Sequence, residues 1–151
     1  MDAGKYLTFA LDDEHYGVPV LKVREIIKVL HITTVPQVPA HVKGVINLRG
    51  KVMPVVDLRL KFGLPARDYT DRTCIIVVEL AARQRTVLMG VIVDTVSDVM
   101  HVSADELAAP PDFGDATGGY IEALAKVKGT VKILLNLDRM LGTEGELIRA
   151  C

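Results

Sequence analysis

Few residues of this 151-residue chain stand where they could make or break bonds. The four histidines, His15, His31, His41 and His101, have no close metal-ligand spacing, and no cysteine or acid cluster accompanies them. They read as solvated or edge-strand residues. The acidic triplet Asp12-Asp13-Glu14 lacks the further ligands at fixed offsets that a cation loop requires, so it reads as a solvated turn. No GxSxG elbow, GxxxxGK[ST] loop, GxGxxG turn or HExxH helix is present. What remains is the chemistry of recognition, and it centres on Arg49. The segment Val42–Leu58 reads VKGVINLRGKVMPVVDL, two apolar runs of strand length joined by Arg49-Gly50. Gly50 accepts the positive φ of a tight reversal, which places a permanent charge at the tip of a β-hairpin. Glu25 is the odd residue in its own stretch, among Val18, Val20, Val23, Ile26 and Ile27, which pattern as core. It is either a solvated strand position or a charged mark at the rim of an apolar groove, where charge sets register and partner choice.

Strands must position these residues. Short runs rich in valine and isoleucine, broken by Gly, Pro and Asp, dominate the chain. Tyr6–Leu11 and His15–Val20, joined by the acidic triplet, predict a hairpin. Pro54 cannot donate to a ladder, so its strand is expected to be an edge or to carry a bulge. Such an edge is either a docking surface or simply blunted.

The pattern occurs twice. Gly17–Val29 aligns with Gly90–Val102 without a gap, with Gly17/Gly90, Val18/Val91, Val20/Val93, Val23/Val96 and Val29/Val102 identical and the acid kept at Glu25/Asp98. Val42–Gly63 aligns with Ile121–Gly142 in the same order, keeping Gly50/Gly129, Val52/Val131, Leu58/Leu137 and Gly63/Gly142. Arg49 faces Lys128. Asp57 faces Asn136, each placed to cap a short helix that Gly63 or Gly142 would end. The repeat predicts a duplicated β unit of about 60–70 residues, a size marginal on its own. Packing two such units leaves a seam, a common place for ligands and partners. Positions both copies keep read as needs of the fold: the turn glycine, Val52/Val131 and the cap. Positions the sister lacks read as partner-facing: Gly44, Asn47, the Arg49 guanidinium and Pro54.

Val35–Pro39 reads as a stiff extended connector. Ser103-Ala104-Asp105-Glu106 has the capping-box pattern of a short helix halted by Pro110-Pro111. Asp112–Gly119 reads as a mobile polar loop, and Thr143–Cys151 as a frayed terminal helix. Cys74, in the apolar run Cys74–Val78, reads as a buried small hydrophobe and Cys151 as exposed, with neither a disulfide scaffold nor a zinc site, as in a reducing cytoplasm.

Composition excludes several classes. The net charge of −1 lacks the basic excess of nucleic-acid binders, and no Trp, three Phe and four Tyr offer few stacking platforms. Half the residues are hydrophobic and mean hydropathy is +0.30, yet no apolar run approaches the roughly 20 residues that span a bilayer. No secretory leader is evident. The expectation is a cytoplasmic protein that binds no nucleic acid, inserts into no membrane and requires no cofactor or metal. A rival reading is a small-ligand-binding β module using the seam, although aromatic and convergent polar groups are scarce.

The run Lys43-Gly44-Val45-Ile46-Asn47-Leu48-Arg49-Gly50, continued by Met53-Pro54-Val55-Val56-Asp57-Leu58, resembles the signature of the CheW family of chemosensory coupling proteins. The stretches Val20–Ile26 and Gly90–Asp94 extend the resemblance over about Lys5 to Gly142. It implies an all-β fold of two five-stranded SH3-like barrels packed side by side, one domain over 5–142 followed by a tail over 143–151. It implies a non-catalytic adaptor. One surface would bind the regulatory domain of the histidine kinase CheA, and the groove between barrels would take the helical hairpin tip of a chemoreceptor at membrane-associated arrays. By motif, Arg49 matches a receptor-coupling arginine, and Val23 and Glu25 match groove positions. Asn47, beside Arg49, joins the implied receptor-binding set. Gly44 matches a glycine sensitive to change for backbone reasons. The kinase-contact residues are not implied.

Overall fold

The computed structural model describes residues 2–82, 85–111 and 119–141. Residues 112–118 of the polar loop, Gly142, expected to end a helix, and the 143–151 tail lie outside the described residues. The N-terminal hairpin is formed by β1 (Gly4–Leu11) and β2 (Glu14–Pro19). Asp12 in its turn has a φ of 53°, a conformation Asp tolerates better than most residues. A single 3-10 turn, Val20–Lys22, leads into β3 (Val23–Lys28). The Arg49-Gly50 hairpin joins β4 (Val42–Leu48) to β5 (Lys51–Asp57), which runs into α1 (Leu58–Lys61). The second half follows as β6 (Cys74–Ala82), β7 (Arg85–Val93), β8 (Thr95–Val102), the short β9 (Leu107–Ala108), β10 (Ile121–Val127), β11 (Thr130–Leu135) and α2 (137–141).

The protein is mostly β, as expected, in two sheets. One has five strands in the order β3-β6-β7-β5-β4, the other six in the order β8-β1-β2-β11-β10-β9. Matching the repeats strand for strand shows that the first five positions of the two orders are the same. β3 corresponds to β8, β6 to β1, β7 to β2, β5 to β11 and β4 to β10. The duplicated copies have exchanged their leading hairpins, so each sheet contains strands of both. The exchange is sealed by the two parallel pairings, Val55 opposite Gly90 and its sister Leu134 opposite Gly17. A Cβ at either glycine would crowd a packed side chain. A Cβ on Gly90 would lie 2.8 Å from Ile75 Cγ2, and one on Gly17 2.8 Å from Leu134 Cδ2.

The core is shared as the strands are. One cluster takes Phe9, Leu11 and Val18 from the leading hairpin together with Ile76, Val91 and both helices, through Leu58 and Met140. Smaller clusters belong to one sheet each, around Ile46, Met53 and Ile75 in the first and around Tyr6, Val102 and Leu134 in the second. The helix caps form as the sequence predicts. Asp57 Oδ1 accepts from the Arg59 N–H at 3.0 Å, and Asn136 Oδ1 from the Arg139 N–H at 3.1 Å. Glu106 Oε1 accepts from both the N–H and the hydroxyl of Ser103. That element is a single 3-10 turn that gives way to β9 at Leu107, before the prolines are reached.

Other expectations are corrected. Pro54 lies in an internal strand, not an edge. Val45 gives both its N–H and its C=O to Thr33, so Pro54 opposite it sits in a pair that needs no hydrogen bond. On its other side the ladder with β7 begins only at Val55. The bulge of this hairpin falls on β4, where Val42 pairs Val56 and Gly44 pairs Val55. Val52 and Val131, kept in both copies, are 64% and 53% exposed and so do not serve the core. Ile26 is exposed, while Val20, Val23 and Ile27 are half-buried. Cys74 is half-buried rather than buried.

Gly44 has a structural task. Its φ is 140°, and a Cβ there would stand 2.0 Å from the Thr33 carbonyl oxygen, inside the bridge that ties Thr33 to Val45 of β4. Gly50 has a φ of 84° but open space around it. Gly44→Ala is therefore expected to cost more than about 3 kcal/mol and Gly50→Ala only about 1 kcal/mol, read from urea unfolding. Equal losses would place the demand for glycine elsewhere than in the Thr33 contact.

Candidate interaction surface

The tip of the β4–β5 hairpin is a turn in which both central residues are left-handed, Arg49 at φ 52° and Gly50 at 84°. This mirror-image turn matches the twist of the strands it joins. Asn47 reinforces it, its Oδ1 accepting the Gly50 N–H at 2.8 Å. Asn47 thus serves the turn from an exposed position, which periodicity alone could not reveal. The sister tip repeats the geometry at Lys128 (52°) and Gly129 (79°), with Thr130 Oγ1 donating to the Val127 carbonyl at 2.8 Å instead.

Arg49 does not point freely into solvent. Its Nη2 is hydrogen-bonded and ion-paired to Glu25 Oε2 on β3, so two of the residues singled out from sequence touch each other. The Glu25 hydrogen bond, aided by its charge, raises the Arg49 pKa above its ordinary value. The pair joins the two edge strands of the five-stranded sheet, β3 at one end of its order and the β4 hairpin at the other. A bulge at Arg24 separates the Val23–Val78 and Glu25–Val77 pairings and sets the direction of Glu25. The Arg49 side chain remains 69% exposed and that of Glu25 30%, so the pair is presented, not buried. Val23 packs half-buried against the shared core, at the root of this surface. Of the structural glycines and proline, Gly50 lies in the tip itself, while Gly44 and Pro54 support it from the β4–β5 ladder.

Sequence reasoning missed several exposed apolar residues. Ile26 (43%) and Val99 (49%) occupy equivalent repeat positions, as do Val52 (64%) and Val131 (53%), and Leu21 is 91% exposed. The signal was present in the repeat: an apolar residue kept in both copies at an outward strand position serves something other than the core.

Sequence reasoning also missed a charged cluster at the seam. Arg59, in α1, is buried, and its Nη1 donates to Asp12 Oδ1 at 2.6 Å and Asp94 Oδ2 at 2.8 Å while its Nε donates to the Pro65 carbonyl at 3.0 Å. Arg67 reaches the same two carboxylates at 2.9 and 3.3 Å, and the Asp12 N–H donates to Asp94 Oδ2 at 2.8 Å. A helix carried by one sheet is thereby tied to the β1–β2 turn and the β7–β8 connection. The sister contact has the charges reversed. Asp138 in α2 accepts from Lys22 Nζ at 3.0 Å and from the Ala81 N–H at 2.9 Å.

The Arg59 hydrogen bond, aided by the charges of Arg59 and Arg67, lowers the Asp12 pKa against a smaller opposing effect of desolvation. Its stabilising contribution is therefore complete above the unfolded value near about 4 and is lost as pH falls through the lower folded value. The melting temperature should decline with acidification below about pH 4, and Asp12→Asn, which suits the left-handed turn, should flatten that decline. An unchanged acid limb in this variant would remove Asp12 from the account.

Among the described residues no group of three His, Cys, Asp or Glu could hold a metal ion, and no helix is long and apolar enough to cross a membrane. Residues 5–145 match the family model of the CheW-like domain. The chain is 34% identical to the chemotaxis protein CheW of Rhizobium meliloti, covering 95% of this chain and 96% of that one. It is 33% identical to the chemotaxis protein CheW of Klebsiella aerogenes over 93% and 82%, and 27% identical to the protein FrzA of Myxococcus xanthus. The crystal structure of the scaffolding protein TtCheW from Thermoanaerobacter tengcongensis superposes with a TM-score of 0.83 at 31% identity, covering 95% of both chains. The chain belongs to the CheW-like family of chemotaxis scaffolds and is not an enzyme. A half-open apolar cleft of about 330 Å³ does lie at the seam, lined by Tyr16, Phe62 and Tyr120 among others, but the comparisons give the ligand-binding alternative no support.

Proposed function

We propose that the protein couples chemoreceptors to the histidine kinase CheA in the cytoplasm, at receptor arrays, without chemistry of its own. The observation that carries this reading is the Arg49–Glu25 pair, charged, exposed and held on a hairpin tip tied to the opposite edge strand. A receptor hairpin would meet Arg49 and Glu25 as polar marks, with Val23 at the root of the surface and Asn47 keeping the turn in shape. Exposed Ile26, which follows Glu25 on β3, adds an apolar side chain to this edge strand. The regulatory domain of the kinase would occupy a separate face. Residues 5–142 act in this reading as one domain of two pseudo-repeated units.

Coupling then follows from geometry. Two partners held on one rigid body influence each other only if each binds with a different free energy when the other is present. The test is kinase activity in receptor-containing membranes, with the adaptor supplied or omitted. Omission should abolish receptor control of the kinase. Arg49→Ala should weaken that control at least about tenfold while moving the melting temperature by no more than about 3 °C, since an exposed pair contributes little to folding. Receptor control that persists without the adaptor contradicts the proposal, and unfolding of Arg49→Ala would make Arg49 a structural residue.

A further inference from the structure

We propose that the opposite charges of Arg59 and Asp138 are an assembly device. They select the exchanged pairing of the two leading hairpins over the pairing in which each copy keeps its own. The inference goes beyond the adaptor reading and does not depend on it. The backbone leaves the choice open. Val55 opposite Gly90 and Leu134 opposite Gly17 are equivalent joints, each with glycine on one side and an aliphatic residue on the other. The strands that carry the glycines are alike as well, with Val18/Val91 identical. If each hairpin stayed with its own copy, Gly17 would stand opposite Val55 and Gly90 opposite Leu134, again glycine against an aliphatic side chain. Each copy would then own a full sheet, and the segment between α1 and β6 would join the two in place of shared strands.

The charged contacts are not interchangeable in this way. Arg59 and Asp138 hold the same place in the two copies, at the start of the helix that follows the joint. Each reaches the connection after the parallel-paired strand beside it and a point on the hairpin of the other sheet. Arg59 Nη1 donates to Asp94 Oδ2 between β7 and β8 and to Asp12 Oδ1 in the β1–β2 turn. Asp138 accepts from Lys22 Nζ between β2 and β3 and from the Ala81 N–H near the end of β6. One centre is a donor among acceptors, the other an acceptor among donors. With the hairpins returned to their own copies, every contact conflicts. Arg59 would meet Lys22 and the Ala81 N–H, donor against donors. Asp138 would meet Asp94 and Asp12, three carboxylates together. Arg67, which shares the same two carboxylates with Arg59, would lose them too. The conflict at Arg59 is the more severe, because its side chain is only 7% exposed and a buried charge without a partner is far costlier than an exposed one. Repulsion set against a competing arrangement gives specificity as well as attraction does.

The test refolds the full chain from urea, so that pairing is chosen afresh, and reads nuclear Overhauser contacts from the Gly17 backbone to Leu134 and to Val55. The wild-type chain should show the Leu134 contact alone. Lys22→Asp/Asp138→Lys keeps an ion pair in the observed arrangement but also satisfies the competing one, placing an acid beside Arg59 and a base beside Asp94. At least about one tenth of its chains should show the Val55 contact as a second set of resonances, the upper end of a minor-state population. Arg59→Asp/Asp138→Arg satisfies only the competing arrangement, and there the Val55 contact should dominate. Val55 contacts in either variant support the proposal. Their absence from both, whether a variant keeps the Leu134 contact or fails to fold, overturns it and assigns the choice of pairing to core packing. A wild-type chain that shows both contacts overturns it as well.

Discussion

The fold depends on two parallel strand pairings, at Gly17 and Gly90. Each joins a hairpin of one copy to strands of the other, and a Cβ at either glycine would crowd a packed side chain, Leu134 or Ile75. Everything else is arranged around these joints. Neither copy owns a complete sheet, so neither can bury its apolar faces alone. The largest core cluster draws on both leading hairpins and both helices for this reason. Helices α1 and α2 follow directly from the strands that make the joints, each started by a capping Asp57 or Asn136. From there Arg59 and Asp138 reach the linking turns with opposite charge, a reciprocal pair of ties across the exchanged halves.

Rigidity obtained in this way has a functional consequence. The two hairpin tips keep the same backbone, with positive φ at Arg49-Gly50 and at Lys128-Gly129. Identical support under different side chains lets one architecture present two surfaces of distinct character. One bears an arginine–glutamate pair, the other exposed lysines at 126 and 128. A scaffold must hold partners in fixed relative positions, and a body whose halves cannot separate without breaking both sheets is suited to that task. In such a body the binding surfaces need little ordering when a partner arrives.

Much of this was legible from sequence because it rests on local chemistry. The Arg49-Gly50 reversal, the caps at Asp57 and Asn136, and the hairpin over Tyr6–Val20 each involve residues close in the chain, and the repeat was visible as spaced identities. The exchange of hairpins was not visible, since aligned copies look the same whether each sheet is built from one copy or both. Pro54 misled because its missing donor is harmless in a strand whose neighbour Val45 already pairs with Thr33. Val52 misled because identity between copies suggests a need of the fold, whereas the side chain stands exposed opposite the outward-facing Asn47. The Arg59 cluster was invisible for another reason: its partners stand 47 and 35 residues away, and only the exchanged topology brings them together.

The central claim is that one rigid body makes two partners sensitive to each other. The most direct measurement is the Kd of this protein for the CheA regulatory domain, determined with and without a saturating receptor fragment. The account predicts a change of at least about fivefold, mirrored by the same factor when the receptor fragment is titrated with and without the kinase domain. A kinase affinity that stays the same with receptor present, while both partners bind, would contradict it.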